Sequence, residues 1–169
     1  MGDPHKPKKK FHRPRRIWTT DQLSSELYLV GSYGLRNKRE LWRAQSKIAR
    51  LRNQARALLA IPVEVRHDKE AQLLNFLKRQ GLVNETASLD DVLNLKIEDL
   101  LDRRLQTIVM KKNGSKSPHL ARQMVLHKHV SIGDRFVNIP GYLVKKEEEP
   151  QILLHMSVGS PASEQTLQH

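Results

Sequence analysis

The carboxylates best spaced to act together are Asp90 with Asp91 and, a few residues on, Glu98, Asp99 and Asp102. Two carboxyl groups at close range can divide the work of a general acid and a general base. The same spacing equally satisfies the preference for acids in the first turn of a helix and i+3 or i+4 pairing to Arg103 and Arg104. Neither a Ser-His-Asp order, a glycine-rich phosphate loop nor a metal motif accompanies them. His127 and His129 offer two imidazoles one residue apart, but a third and fourth ligand are not in sight; hydrogen bonding and capping are their other readings. Cysteine is absent, which removes disulfides, cysteine zinc sites and thiol nucleophiles. The residues therefore point to no catalysis, no metal and no cofactor.

Charge is the stronger signal. Thirty Lys and Arg stand against eighteen Asp and Glu, a formal charge of +12 over 169 residues, which attracts polyanions. It comes in blocks: +6 over residues 1–16, −2 over 17–35, +7 over 36–56, −4 over 57–102, +9 over 103–146 and −4 over 147–169. Three separated basic blocks suggest three contact surfaces on one large polyanion, with the acidic middle facing away. A small-molecule substrate would need only one local cluster. Charge alone does not separate RNA from DNA, since both present phosphates. No apolar run approaches the roughly 20 residues that span a bilayer, and the first residues lack the apolar segment of a secretory signal. Pro4, Pro7 and Pro14 would break a mitochondrial targeting helix.

The elements that must carry these charges follow from periodicity. Lys8, Lys9, Lys10, Arg13, Arg15 and Arg16 lie among prolines with no period, as in an extended arm over residues 1–17; such an arm either threads between phosphates or serves as an import signal. Leu23, Leu27 and Val30 place one face of a helix over 20–33, ended by Gly31 and Gly34. From Lys38 to Leu59 the apolar positions Leu41, Ala44, Ile48, Leu51, Ala55 and Leu58 step by three and four. Arg36, Arg39, Arg43, Lys47 and Arg50 step likewise, making a basic stripe beside the apolar one and lacking the acidic partners of an ordinary solvated face. Asp68 is expected to cap a helix over 69–80 stopped by Gly81, and Ser88 with Asp91 to form a capping box. A longer helix is expected over 96–112, ended at Asn113-Gly114, and another from Ser117-Pro118 to about His127. Then the period changes: Val130 and Ile132, with Phe136, Val137 and Ile139, flank Gly133-Asp134 as a hairpin, and residues 151–158 offer a last strand. The expected class is α+β, a helical body over 18–102 and a small unit of two helices on an antiparallel sheet over 103–158, with a polar tail over 159–169. Trp42 adjoins the apolar stripe and reads as core; Trp18 is open to stacking on bases.

These residues resemble a known family. Asp102-Arg103-Arg104-Leu105-Gln106-Thr107, then Ala121-Arg122-Gln123, then His129-Val130 leading to Val137-Asn138-Ile139-Pro140 are similar to the RNA-binding domain named after ribosomal protein S-four. Upstream, Tyr33-Gly34-Leu35-Arg36-Asn37-Lys38-Arg39-Glu40-Leu41-Trp42 and Leu95-Lys96-Ile97-Glu98-Asp99-Leu100 resemble the archaeal and eukaryotic cytosolic branch of that ribosomal protein family. The resemblance spans about residues 18–158, and the short tail and the opening four residues lean to the archaeal side.

The resemblance implies RNA rather than DNA. It implies a structural constituent of the small ribosomal subunit in the cytoplasm, binding rRNA at a helix junction of the 5′ domain early in assembly. It also implies neighbours among small-subunit proteins, of the S-five type in particular, a position beside the path by which mRNA enters, and an influence on decoding accuracy. A processing or assembly factor of the same family is the alternative. By position, Arg122, Gln123, His127, Lys128 and His129 would lie against RNA with Arg103, Arg104 and Asn138 nearby, and Lys111, Lys112, Lys116 and Ser117 would meet phosphate. The loop at 111–117 is less apolar than in most of the family. Some bacterial members hold zinc through N-terminal cysteines, which this chain does not have.

Overall fold

The structure, a computed structural model, describes residues 10–114 and 117–155. Lys8, Lys9 and Lys116, the expected tail and the end of the expected last strand lie outside the described residues. The described residues form seven helices and three strands in order: α1 Thr20–Ser32, α2 Lys38–Leu59, α3 Val63–Arg79, α4 Leu89–Asn94, α5 Ile97–Asp102, α6 Leu105–Asn113, α7 Pro118–Leu126, β1 Val130–Ile132, β2 Arg135–Phe136 and β3 Ile152–Leu154. The fold is α+β.

The spine is α2, which spans the range its periodicity predicts. Asn37 caps it, its side chain accepting from the Glu40 N–H at 3.2 Å. The first half of its apolar stripe, Leu41, Ala44 and Ile48, packs with Leu35, Leu100 and Leu101, and the second half, Leu51, Ala55 and Leu58, with Leu77, Leu89, Val92 and Leu95. Each fully buried leucine or isoleucine contributes roughly 1.5–3 kcal/mol, so one stripe anchors the flanking helices on both sides. A third core belongs to the C-terminal unit: Leu105, Ile108 and Val109 of α6 and Ala121, Met124 and Val125 of α7 enclose Val130, Val144 and Ile152. The sheet there has the order β2-β1-β3, antiparallel throughout, and Ile132 opposite Arg135 leaves Gly133-Asp134 as a two-residue turn with Gly133 at φ 56°.

Three expectations need correcting. The helix assigned to Asp68 onward begins earlier, as α3 from Val63 behind Pro62, and Asp68 sits exposed within it. The long helix expected over 96–112 is two helices. Arg104 is extended (φ −73°, ψ 140°), and the backbone of 103–105 pairs with the C-terminal segment: Val144 N–H donates to the Arg103 carbonyl at 3.0 Å, and Leu105 N–H to that of Tyr142 at 2.8 Å. On α1 the buried position is Glu26, whose carboxylate accepts from Trp42 Nε1 at 3.1 Å and pairs with Lys38 at 3.1 Å; Leu29 and Val30 pack partly buried against the core, but Leu27, expected on the apolar face, is exposed. Trp42 is thus core, as its stripe indicates, while Trp18 is 86% exposed.

The two halves meet at a tight crossing. Gly34, at φ 57°, lies where a Cβ would sit 2.8 Å from Pro118 Cβ, and the Gln106 side chain donates to the carbonyls of Tyr33, Gly34 and Pro118. Only glycine combines that backbone with that approach. The junction fixes α7 relative to the start of α2, and with it the relative positions of the basic surfaces.

Candidate nucleic-acid interface

A basic side chain whose charge is already paired inside the protein has less of it to offer a phosphate. Arg104, 8% exposed, donates to Glu40 at 2.7 Å; Arg122 reaches the other oxygen of Glu40 at 3.1 Å and Gln106 Oε1 at 3.3 Å. Glu40 is thereby held between two guanidiniums from the C-terminal unit. Burial alone would raise its pKa, but the two arginines outweigh this and hold it below the ordinary carboxylate value. Arg103 is engaged in the same way by Glu149 at 2.6 Å and by the Val144 carbonyl at 3.1 Å. Of the four basic side chains expected on or beside α7, three therefore clamp the fold internally.

The surface that remains free lies elsewhere. Among the described residues, the lysines and arginines whose side chains lack an ion-pair or hydrogen-bond partner are Lys10, Arg13, Arg15 and Arg16 of the arm, Arg36, Arg39, Arg43, Lys47 and Arg50 at and along α2, and Lys69, Lys78, Lys96, Lys128 and Arg135. Arm and helix form one surface: the His12 N–H donates to Ser46 Oγ at 2.8 Å, and the Phe11 ring lies 5.9 Å from that of Trp42. Ser46, buried and bonded to the arm, escaped sequence reasoning because a lone helical serine carries no signal. Glu40 escaped too, although it is the single acid of the 36–56 block and could have been suspected on that ground.

The end of α7 presents a second basic point. Ser117 caps the helix, accepting from the His119 N–H at 3.3 Å, with Pro118 following. At its far end the Lys128 N–H donates to Val125 O at 3.2 Å and the His129 N–H to Met124 O at 3.0 Å, while Lys128 itself takes a left-handed conformation at φ 61°. This is the paired C-terminal bonding that glycine usually serves. A lysine there carries a strain of about 1 kcal/mol, and its side chain, like those of Gln123 and His127, is exposed. The His127 and His129 rings stack with centroids 6.2 Å apart. Lys128→Gly is expected to raise unfolding stability in urea by about 1 kcal/mol and to weaken RNA binding, a trade that an ornamental lysine would not show. Lys111 pairs with Asp102 at 3.2 Å and Lys112 donates to the Glu149 carbonyl, yet both are exposed, as is Asn138. No group of three or more His, Cys, Asp or Glu among the described residues is arranged to hold a metal, and none of their helices is long and apolar enough to cross a membrane.

Comparison with known proteins defines the class first: residues 103–150 match the S4 domain, a stretch that takes in α6, α7, β1 and β2. The chain is 54% identical to the small ribosomal subunit protein uS4 of Cenarchaeum symbiosum, over 91% of this chain and 75% of that protein. It is 52% identical to that of Ignicoccus hospitalis, over 90% and 92%, and 48% identical to that of Nitrosopumilus maritimus, over 97% and 87%. The chain belongs to the small ribosomal subunit protein uS4 family, on its archaeal branch. It is a structural constituent of the small subunit of cytoplasmic ribosomes and not an enzyme.

Proposed function

We propose that the protein is a primary binder of small-subunit rRNA, seated at a helix junction of the 5′ domain and acting early in assembly. The observation that carries this reading is the row of cations at and along α2, continuous with the arm and free of internal partners among the described residues. In an internal salt-bridge lattice those charges would meet acids; here Arg103, Arg104 and Arg122 do, and the row does not. Lysines and arginines along a straight helix neutralise phosphates and release counterions, while a rigid surface selects the RNA by shape. In this reading residues 18–102 supply the main platform, and the unit over 103–158 adds the exposed end of α7, with Gln123, His127, Lys128 and His129, together with Lys111, Lys112 and Asn138. Arg103, Arg104 and Arg122 contribute by holding the two parts in register. The reading further includes what the resemblance implies: neighbours of the S-five type, a place beside the path by which mRNA enters and an effect on decoding accuracy.

The test is binding of the full chain to a 5′-domain rRNA fragment across a salt series, against an unrelated RNA of equal length. The rRNA is expected to win by orders of magnitude, with a log–log slope of about −5 or steeper for six or more phosphates. Equal binding of the two RNAs would reduce the protein to a nonspecific polycation. Co-purification with mature subunits through a high-salt wash separates a resident component from a transient assembly factor.

A further inference from the structure

Between α2 and the C-terminal unit lies a cleft of about 300 Å³, at the small end of the roughly 300–1,000 Å³ typical of ligand pockets. Its two walls differ. Arg43 and Lys47 line one side from α2; Ile139, Pro140, Gly141 and Leu143 line the other. The single acid on the wall among the described residues, Glu40, is bound by Arg104 and Arg122 and offers an incoming anion little repulsion. Arg43 and Lys47 have no ion-pair or hydrogen-bond partner among the described residues. Lys47 is partly buried, and its desolvation disfavours the charged form, so a phosphate placed against it relieves a standing cost. Opposite, Ile139 is 58% exposed at the cleft, an apolar surface that water solvates poorly.

We infer that this cleft receives one unstacked nucleotide of the bound RNA, its base against Ile139, Pro140 and Leu143 and its phosphate on Arg43 and Lys47. The inference rests on the RNA-binding reading above and adds to it a site for a single nucleotide. An anionic group joined to a flat, weakly polar ring matches both walls at once; inorganic phosphate would leave the apolar wall bare. An acidic peptide would satisfy the cations but lacks the rigid planar face that small apolar walls and guanidinium planes receive from splayed-out bases. Position favours a nucleotide too, because Arg43 and Lys47 belong to the row that runs from Arg36 to Arg50, so a strand following the row passes the mouth of the cleft.

The experiment is a methyl and amide NMR titration of the full chain with adenosine and uridine 5′-monophosphate, with inorganic phosphate and an acidic hexapeptide as comparators. The nucleotides are expected to shift the Ile139 and Leu143 methyls saturably. Lys47→Met should weaken that binding about tenfold or more, as loss of a hydrogen bond to a charged group does, and Ile139→Ala at an exposed position should weaken it a few-fold with the fold intact. Phosphate is expected to move α2 amides while leaving the methyls still. If the hexapeptide moves the methyls and the nucleotides do not, the cleft is a protein-docking site and the inference is wrong. If phosphate reproduces every nucleotide shift, or nothing moves the methyls, it is equally lost, whether or not 5′-domain rRNA binds specifically. Saturable nucleotide binding alongside indiscriminate RNA binding would instead keep the cleft and discard the rRNA reading.

Discussion

Glu40→Ala is expected to lower the unfolding free energy by about 3 kcal/mol, because it leaves two largely buried guanidiniums without their counter-charge. The carboxylate is only 20% exposed, Arg104 8% and Arg122 17%, and the partners come from segments 64 and 82 residues away, so the contact ties the helical body to the C-terminal unit. Urea denaturation at neutral pH measures the loss. Replacing all three charges together, with Glu40, Arg104 and Arg122 each changed to Met, should recover much of it, since an apolar cluster of similar volume removes the stranded charges. A triple variant no more stable than Glu40→Ala would show that geometry, not charge compensation, is what the cluster provides. The pH dependence has a definite sign. The folded-state pKa of Glu40 lies below its ordinary value of 4.5, so its stabilisation is present above about pH 4.5 and is lost as pH falls through the folded value. Glu26 and Glu148 are lowered as well and add to the acid loss. Glu40→Gln should therefore flatten, without abolishing, the fall in stability below pH 4.5.

The clamp also explains where the sequence was readable and where it was not. Spacing by three and four defined α2 because its helix, its apolar stripe and its basic stripe are all local properties of one segment. The break between α5 and α6 has no glycine or proline to announce it. It arises because Arg103 and Leu105 exchange backbone hydrogen bonds with residues near 143, a long-range pairing that no window around 103 contains. The start of α3 is hidden for a different reason: its first turn, Val63 to Arg66, shows no apolar period, and Asp68 is a plausible cap further on. The same limit governs the site. A cation facing solvent and a cation facing a remote carboxylate look alike in sequence, so spacing alone does not separate Arg104 and Arg122, which Glu40 holds, from the exposed Lys128. The α2 row was the more legible part of the surface because its shortage of local acids is visible in the chain itself.

Reversing Arg36, Arg39 and Arg50 to Glu is expected to cost roughly 10²-fold or more in affinity for 5′-domain rRNA near 0.1 M salt and to make the log–log salt slope shallower by about 2 to 3, at 0.7 to 0.9 per phosphate contact. All three side chains are exposed and lack internal partners among the described residues, so the fold should survive within about 0.5 kcal/mol per site; a carboxylate at position 39 even suits the positive start of α2. The matched control is Lys69, Lys78 and Arg79 to Glu on α3, which changes net charge by the same amount. Long-range attraction falls equally in the two variants, so any difference between them belongs to direct phosphate contact. The α3 variant should lose several-fold in affinity and keep its slope nearly unchanged. Equal losses with equal slopes would mean that the protein attracts RNA only through its total charge. A larger loss from α3 would put the RNA on the opposite side of the spine, and the α2 row would then have to face another anionic partner.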